Sequence, residues 1–300
     1  MSAASSPAES SASTRRGRTL GVIGGSGIYT MPGLDFVGRH EVQTPFGAPS
    51  DAIIEAELDG TRLFFLPRHG QGHRLAPHAI NFRANMCALK MLGAEQVVSL
   101  SAVGSLREHI HPGDVVIVDQ YIDLTKRRIS TFFDEDIVAH VSFADPVCPA
   151  LSEAAAVASE VAGARVFRGG TYVCIEGPQF STRSESHLYR SWGASVIGMT
   201  AMPEAKLARE AELPYATVAF ATDYDAWHET EEAVSVEVVL AVLRQNAARA
   251  QQIVRELASR LPDPAQSTAT TALAHAVITP PEHAGAEARA RLAWLLGKRS

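Results

Sequence analysis

The sequence predicts an α/β fold, and three observations predict it. Residues 194–228 read as strand, helix, strand within about thirty residues, a βαβ-like spacing. Elsewhere, short apolar runs close on glycines, small residues or polar clusters, as at 24–27, 67–73, 101–106 and 177–181. The chain is 300 residues long, 46% hydrophobic and 20% charged, which suits a soluble globular protein with one large α/β domain or two small ones.

The stretch 194–228 organises the rest. Ser195-Val196-Ile197-Gly198 is a short apolar run consistent with a buried strand, closed by Met199-Thr200. Pro203 starts a helix, where its missing N–H costs nothing, and Glu204 suits the positive end. Ala205, Leu207, Ala208 and Ala211 continue the helix, and Pro214 stops it. Tyr215 to Thr222 is a second buried strand that delivers Asp223 and Asp225 at its end. Ligands of open α/β sheets gather at the carboxyl ends of strands, where both polar clusters lie. Two carboxylates two residues apart equally suit a solvated loop or a helix cap, and the residues alone do not separate these readings.

Taken in order, residues 1–18 are Ser/Ala-rich with a late basic cluster and no apolar core, the composition of a disordered tail. Thr19 to Ile23 is the first strand, running into Gly24-Gly25-Ser26-Gly27, a turn whose backbone N–H groups can approach an anion. It matches neither GxGxxG nor GxxxxGK[ST], so a dinucleotide or P-loop site is not supported. Val42 to Phe46 and Ala52 to Leu58 read as strand segments, with Asp59-Gly60 as a hairpin turn into a strand at Thr61 to Leu66. That strand ends in Pro67-Arg68-His69-Gly70-Gln71-Gly72-His73, where a guanidinium fork suits a phosphate. His73 and His78 suggest metal only weakly, since no acidic or Cys partner stands at ligand spacing; no metal is expected.

Phe82, Asn85/Met86, Leu89 and Leu92 share one face of a helix over 81–92, capped by Gly93. Gln96 to Leu100 is a strand ending in a small-residue turn, Ser101 to Leu106. Val115 to Val118 is a further strand. Residues 119–147 are polar and irregular, too long for an inert connection, and read as a lid or contact surface. An Ala-rich helix spans 150–162, strands follow at 165–168 and 170–176, and a helix at 185–192 leads back to the central stretch. A long amphipathic helix is expected over 234–257, a loop over 261–281 and a short helix over 286–296.

The net charge of −6 gives no general attraction to nucleic acid or to an acidic membrane. Cys87, Cys148 and Cys174 are odd in number and form no CxxC, which disfavours a disulfide framework or zinc site and suits a reducing cytoplasm. No apolar run approaches the roughly 20 residues that span a bilayer.

Nine motifs in order resemble one family: GVIGGSGIY, TPFGAPSD, PRHGQGH, SAVGSLREHIHPGD, VDQYIDLTKRR, IEGPQFSTRSES, IGMTAMPEAKLARE, ATDYDAW and EEAVSV. Over residues 19–257 the chain resembles the S-methyl-5′-thioadenosine phosphorylases of the trimeric purine nucleoside phosphorylase group. The resemblance implies a single α/β domain with a central mixed sheet flanked by helices, nucleoside phosphorylase-like, over 19–260, with a loop and C-terminal helix over 261–300. It implies phosphate-dependent cleavage of methylthioadenosine to adenine and 5-methylthioribose 1-phosphate, in purine and methionine salvage. No cofactor is implied beyond phosphate as co-substrate.

The same resemblance puts phosphate on Ser26, Arg68, His69, Ser101, Ala102 and Thr200. It puts ribose and base on Met199, Phe180, Ser181, Asp223, Tyr224 and Asp225, with Asp223 donating to N7 and Asp225 supporting it or holding the N6 amino group. The 6-oxopurine relatives use Asn where Asp223 stands, so Asp223 argues for adenine. They place a His for the 5′-hydroxyl where Val236 and Leu240 are apolar, which argues for a methylthio group. Gly198 departs from the pattern, since several adenine-specific members carry Asn there. A 6-oxopurine or methylthioinosine phosphorylase on the same fold is the alternative, and a nucleoside-binding protein without chemistry is opposed by the intact set. The family is a homotrimer in which the position of His140 is lent to a neighbour's 5′ pocket, and Phe143 and Pro146 offer apolar surface to that neighbour.

Overall fold

The computed structural model describes residues 18–25, 28, 31–228 and 236–297, and for 236–246 the backbone alone. The strands are β1 (Thr19–Gly24), β2 (Asp35–His40), β3 (Ile53–Leu58), β4 (Thr61–Pro67), β5 (Gln96–Ser105), β6 (Val115–Val118), β7 (Gln120–Asp123), β8 (Val166–Arg168), β9 (Thr171–Cys174), β10 (Val196–Gly198) and β11 (Tyr215–Asp223). The helices are α1 (Phe82–Met91), α2 (Pro149–Val161), α3 (Arg183–Ser191), α4 (Ala201–Glu210), α5 (Val236–Ser259) and α6 (Ala286–Leu296). Local chemistry explains many of these ends. Asp59 and Gly60 both have positive φ (50° and 79°), as the two-residue hairpin turn between β3 and β4 requires. Asn81 caps α1 through Ala84 N, and Thr182 with Glu185 forms a capping box on α3.

All strands join one mixed sheet, in the order β2-β3-β4-β1-β5-β10-β9-β7, with β11 also on β5, β6 on β11 and β8 on β6. The long β5 is the fork. One edge pairs with β1 in parallel over Gln96–Ser99, then with β10 in antiparallel register at Gly104 and Ser105. The other edge pairs with β11 in parallel over Val97–Gly104. Helices cover both faces. One core combines α1, α4 and α6 through residues such as Met86, Leu89, Leu207 and Leu292. The other combines α2 and α5 through Leu151, Ala155, Ile253 and Leu257.

Several expectations are corrected. Val42–Phe46 is not a strand and contributes only the isolated Thr44–Gly47 bridge. The edge strand is β2 instead, whose sequence DFVGRH is largely exposed and lacks an apolar alternation to announce it. The small-residue segment after Leu100 does not turn; it continues β5 to Ser105, because β11 and β10 supply its hydrogen bonds. β10 and β11 do not form a parallel βαβ unit. Both pair with β5, one antiparallel and one parallel, so they run in opposite directions. Residues 119–147 contain β7, and Phe132 and Phe133 are core residues. Phe143 is half-buried against the same core under the Arg209 guanidinium, and Pro146 is buried, so Pro146 offers no apolar surface to a neighbour. Residues 261–281 form short 3₁₀ turns with Leu273 and Ala276 buried.

Among the described residues no helix is long and apolar enough to cross a membrane.

Candidate active site

A cavity of about 560 Å³ opens where β1, β4, β5 and β11 end and α4 begins. Its lining includes Arg68, His69, Ser101, Ala102, Phe180, Met199, Thr200, Asp223 and Asp225, which the sequence reading names. β5 lies along it as a ruler. Ser101 stands near the arginine end and Gly104 at the aspartate end, three residues or about 10 Å apart.

Arg68 is only 3% exposed at the end of β4. Its Nε donates to Glu204 Oε2 at 2.8 Å and its Nη2 to Glu204 Oε1 at 3.1 Å. Nη2 also donates to Ser99 Oγ at 2.6 Å, and Nη1 to the Leu100 carbonyl at 3.2 Å. The expected fork toward a ligand is therefore occupied by Glu204. Of five guanidinium N–H groups, four are engaged, which leaves one for the cavity. Burial opposes the charge, yet the Glu204 carboxylate holds the Arg68 pKa above its ordinary value. Tyr215 donates to Glu204 Oε1 at 2.8 Å and fixes the carboxylate in turn.

Next to Arg68, the His69 ring lies 2.8 Å from the Leu75 carbonyl through Nδ1 and stacks on His73 at 4.1 Å. A carbonyl only accepts, so Nδ1 carries the proton. Burial, and the neighbouring Arg68 charge, push the His69 pKa down to about 4 against the raising effect of that hydrogen bond. Ser101 Oγ lies 3.2 Å from the Tyr172 hydroxyl. Thr200 is buried at the N-cap of α4, but its side chain makes no capping hydrogen bond. Gly198 is also explained here: a Cβ would fall 2.7 Å from Tyr172 Cζ and closer still to its hydroxyl.

At the aspartate end, Asp223 Oδ1 accepts from Asp225 N at 2.8 Å and Oδ2 from Thr222 Oγ1 at 2.6 Å. Burial raises the pKa of both aspartates. For Asp225 the hydroxyls of Ser186 and Ser181 oppose that rise. They do so without meeting hydrogen-bond geometry: Asp225 Oδ2, Ser181 Oγ and Ser186 Oγ are all buried without a partner. Asp225 holds a left-handed φ of 52°, which turns its side chain back beside Asp223. Gly104 permits this approach, since a Cβ there would lie 2.9 Å from Asp223 Oδ1 and 3.1 Å from Asp225 Cβ. Trp227 closes the turn by donating to the Ser105 carbonyl at 2.7 Å.

The other expected residues lie elsewhere. The Tyr224 hydroxyl is 2.5 Å from His111 Nδ1, and Tyr224 is not among the cavity lining. His140 lines a separate cavity with Arg209 and His275. Ser26 and the side chains of Val236 and Leu240 lie outside the described residues. Sequence reasoning missed Gly104 and the pocket role of His73, which it weighed only as a metal ligand. It also missed Ile28, Pro77, Ala247 and Ala250 on the cavity wall. Ile28 lies inside a named motif and Pro77 just past one, while Ala247 and Ala250 lie on the amphipathic helix expected over 234–257. Among the described residues no group of three His, Cys, Asp or Glu side chains is placed to hold a metal ion.

The arrangement suits an oxyanion at one end and proton donation from a buried carboxyl at the other. Residues 19–259 match the Phosphorylase superfamily. The chain is 53% identical over 281 residues to the S-methyl-5′-thioadenosine phosphorylase of Geobacter sulfurreducens, covering 93% of this chain and 98% of that one. It is 52% identical to the Koribacter versatilis protein of the same name, over 93% and 96%. Among solved structures it resembles a methylthioadenosine phosphorylase from an antarctic soil metagenomic library, with a TM-score of 0.88, 50% identity and coverage of 93% and 99%. It also resembles the Schistosoma mansoni methylthioadenosine phosphorylase in complex with adenine, with a TM-score of 0.77, 35% identity and coverage of 80% and 91%.

Proposed function

The chain belongs to the phosphorylase superfamily, among the S-methyl-5′-thioadenosine phosphorylases, and from that premise we propose how its cavity works. The reaction is phosphorolysis of S-methyl-5′-thioadenosine to adenine and 5-methylthioribose 1-phosphate. Phosphate sits at the Arg68 end, with the remaining Arg68 N–H, the Thr200 and Ser101 hydroxyls and the Ala102 backbone around it. Adenine sits at the Asp223 end, and ribose lies between them over Met199. The observation that carries this reading is the register along β5, whose spacing of about 10 Å matches a phosphate below C1′ and a base beyond it.

In the reaction the C1′–N9 bond breaks and a phosphate oxygen bonds to C1′ through an oxocarbenium-like transition state. Asp223 delivers a proton to N7, so adenine leaves neutral. Burial favours the protonated Asp223 that this step needs, against the Thr222 hydroxyl, which donates to the carboxylate and lowers its pKa. The hydroxyl's single hydrogen faces two acceptors, the Val103 carbonyl at 3.2 Å and Asp223 Oδ2 at 2.6 Å. Asp225, with Oδ2 unpartnered, fixes the N6 amino group. A carboxylate that accepts from N6 repels the O6 of a 6-oxopurine, which favours adenine.

The assembly is a homotrimer in the cytoplasm, with His140 completing a neighbour's 5′ pocket and no cofactor. Support comes from the edge around His140. Ile278 N donates to the Val138 carbonyl at 2.9 Å, and Val138 and Ile278 are 42% and 60% exposed beside it. Residues 19–260 form the phosphorylase domain. The deciding experiment is adenine release from methylthioadenosine with and without phosphate; release that ignores phosphate ends the reading.

A further inference from the structure

We propose that His69 presents an unprotonated Nε2 to the bound oxyanion and accepts a hydrogen bond from a P–OH group, so that the site selects monohydrogen phosphate over an oxyanion that carries no proton. The inference rests on the phosphorolysis reading and deepens it.

The geometry starts at the ring's far side. Nδ1 is 2.8 Å from the Leu75 carbonyl, whose own backbone N–H closes a turn onto His69 O at 3.0 Å. That pairing holds the proton on Nδ1 and leaves Nε2 as the nitrogen available to a ligand in the cavity that His69 lines. Burial first, and then the neighbouring positive groups, keep Nε2 bare. Arg68 precedes His69 and His73 stacks on it, and both disfavour a second positive charge. Glu204 on α4 acts the other way, but it is paired with Arg68. Arg74 of the same loop turns to the Ser50 carbonyl. Asp223 and Asp225 stand at the far end of the cavity.

Every other phosphate contact proposed above can be met by a fully ionised oxyanion, since Arg68, Thr200, Ser101 and the Ala102 backbone all donate. His69 is the exception. Phosphate keeps a proton near neutral pH and can give it to Nε2. Sulfate has none, so sulfate binding must draw a proton from solvent onto Nε2. Phosphate binding as the monohydrogen form draws none. After transfer the proton remains on the phosphate ester, shared with Nε2, and the proton balance of the reaction is unaffected.

The test is inhibition of adenine release by sulfate, competed against phosphate, between about pH 6 and about pH 8. One proton taken up per sulfate makes the sulfate inhibition constant rise about tenfold per pH unit, while the Michaelis constant for monohydrogen phosphate stays nearly flat. His69→Gln, whose amide can donate without titrating, should flatten the sulfate slope and lower the phosphate-over-sulfate preference. A flat sulfate inhibition constant in the unaltered protein overturns the proposal without need of any variant. Adenine release independent of phosphate is a different result, which removes the phosphorolysis reading and this inference with it.

Discussion

The Arg68 guanidinium is held by the Glu204 carboxylate in a two-point pair, at 2.8 Å and 3.1 Å, with both residues buried. Removing one partner leaves an uncompensated buried charge. Arg68→Ala should therefore cost about 3–5 kcal/mol of stability, read by denaturant unfolding. It should also raise the phosphate KM by at least about tenfold, with methylthioadenosine affinity altered less. An unchanged phosphate dependence takes Arg68 out of the site.

Asp223→Asn should depress methylthioadenosine turnover by about 10²-fold or more, the usual contribution of a placed general acid. Relative use of inosine or methylthioinosine should improve, because an amide can donate to O6. The readout is the ratio of the two activities; a ratio that does not move means that another group reads the base.

Gly198→Asn tests the departure from the adenine-specific pattern. The new side chain would collide with the Tyr172 ring, whose Cζ lies 2.7 Å from the Cβ position. The expected cost is about 1–3 kcal/mol or more, the range for overpacking a core. Pairing it with Tyr172→Val should recover part of that loss, and a double-mutant cycle showing simple additivity would refute the coupling.

Glu210 sets a pH dependence. It is buried at the end of α4, accepts from Phe132 N at 2.7 Å and Thr131 Oγ1 at 2.8 Å, and burial pushes its pKa up to about 7. A carboxyl raised from 4.5 binds more protons folded than unfolded between those values, so its contribution to stability declines as pH rises from about 4.5 to about 7. The Tm of the unaltered protein relative to Glu210→Gln should fall across that window. A constant difference would show that Glu210 does not titrate there.

The proposed sharing of sites between subunits makes activity depend on assembly. An interface variant that yields folded monomers should lose most activity, and His140→Ala should harm methylthioadenosine cleavage more than adenosine cleavage. Light scattering that finds a fully active monomer would exclude this arrangement.

The sequence by itself determined the fold class, the interior strands and the helices, because those depend on local apolar patterning, proline, glycine and caps. α6 lies where the pattern put it, at Ala286–Leu296. Motif order was enough to name nine of the residues that line the cavity, since each falls within one of the motifs that carry the family resemblance. The tertiary structure alone decided what those residues are free to do. Glu204 takes the Arg68 fork across 136 positions of chain, and Tyr172 denies Gly198 a side chain. The opposite directions of β10 and β11 follow from both pairing with β5, and the core against which Phe143 is half-buried is built by segments far from it in the chain. The physical reason is the same in each case. Strand register and side-chain partnership are settled by contacts between segments far apart in the chain, and no local pattern carries them.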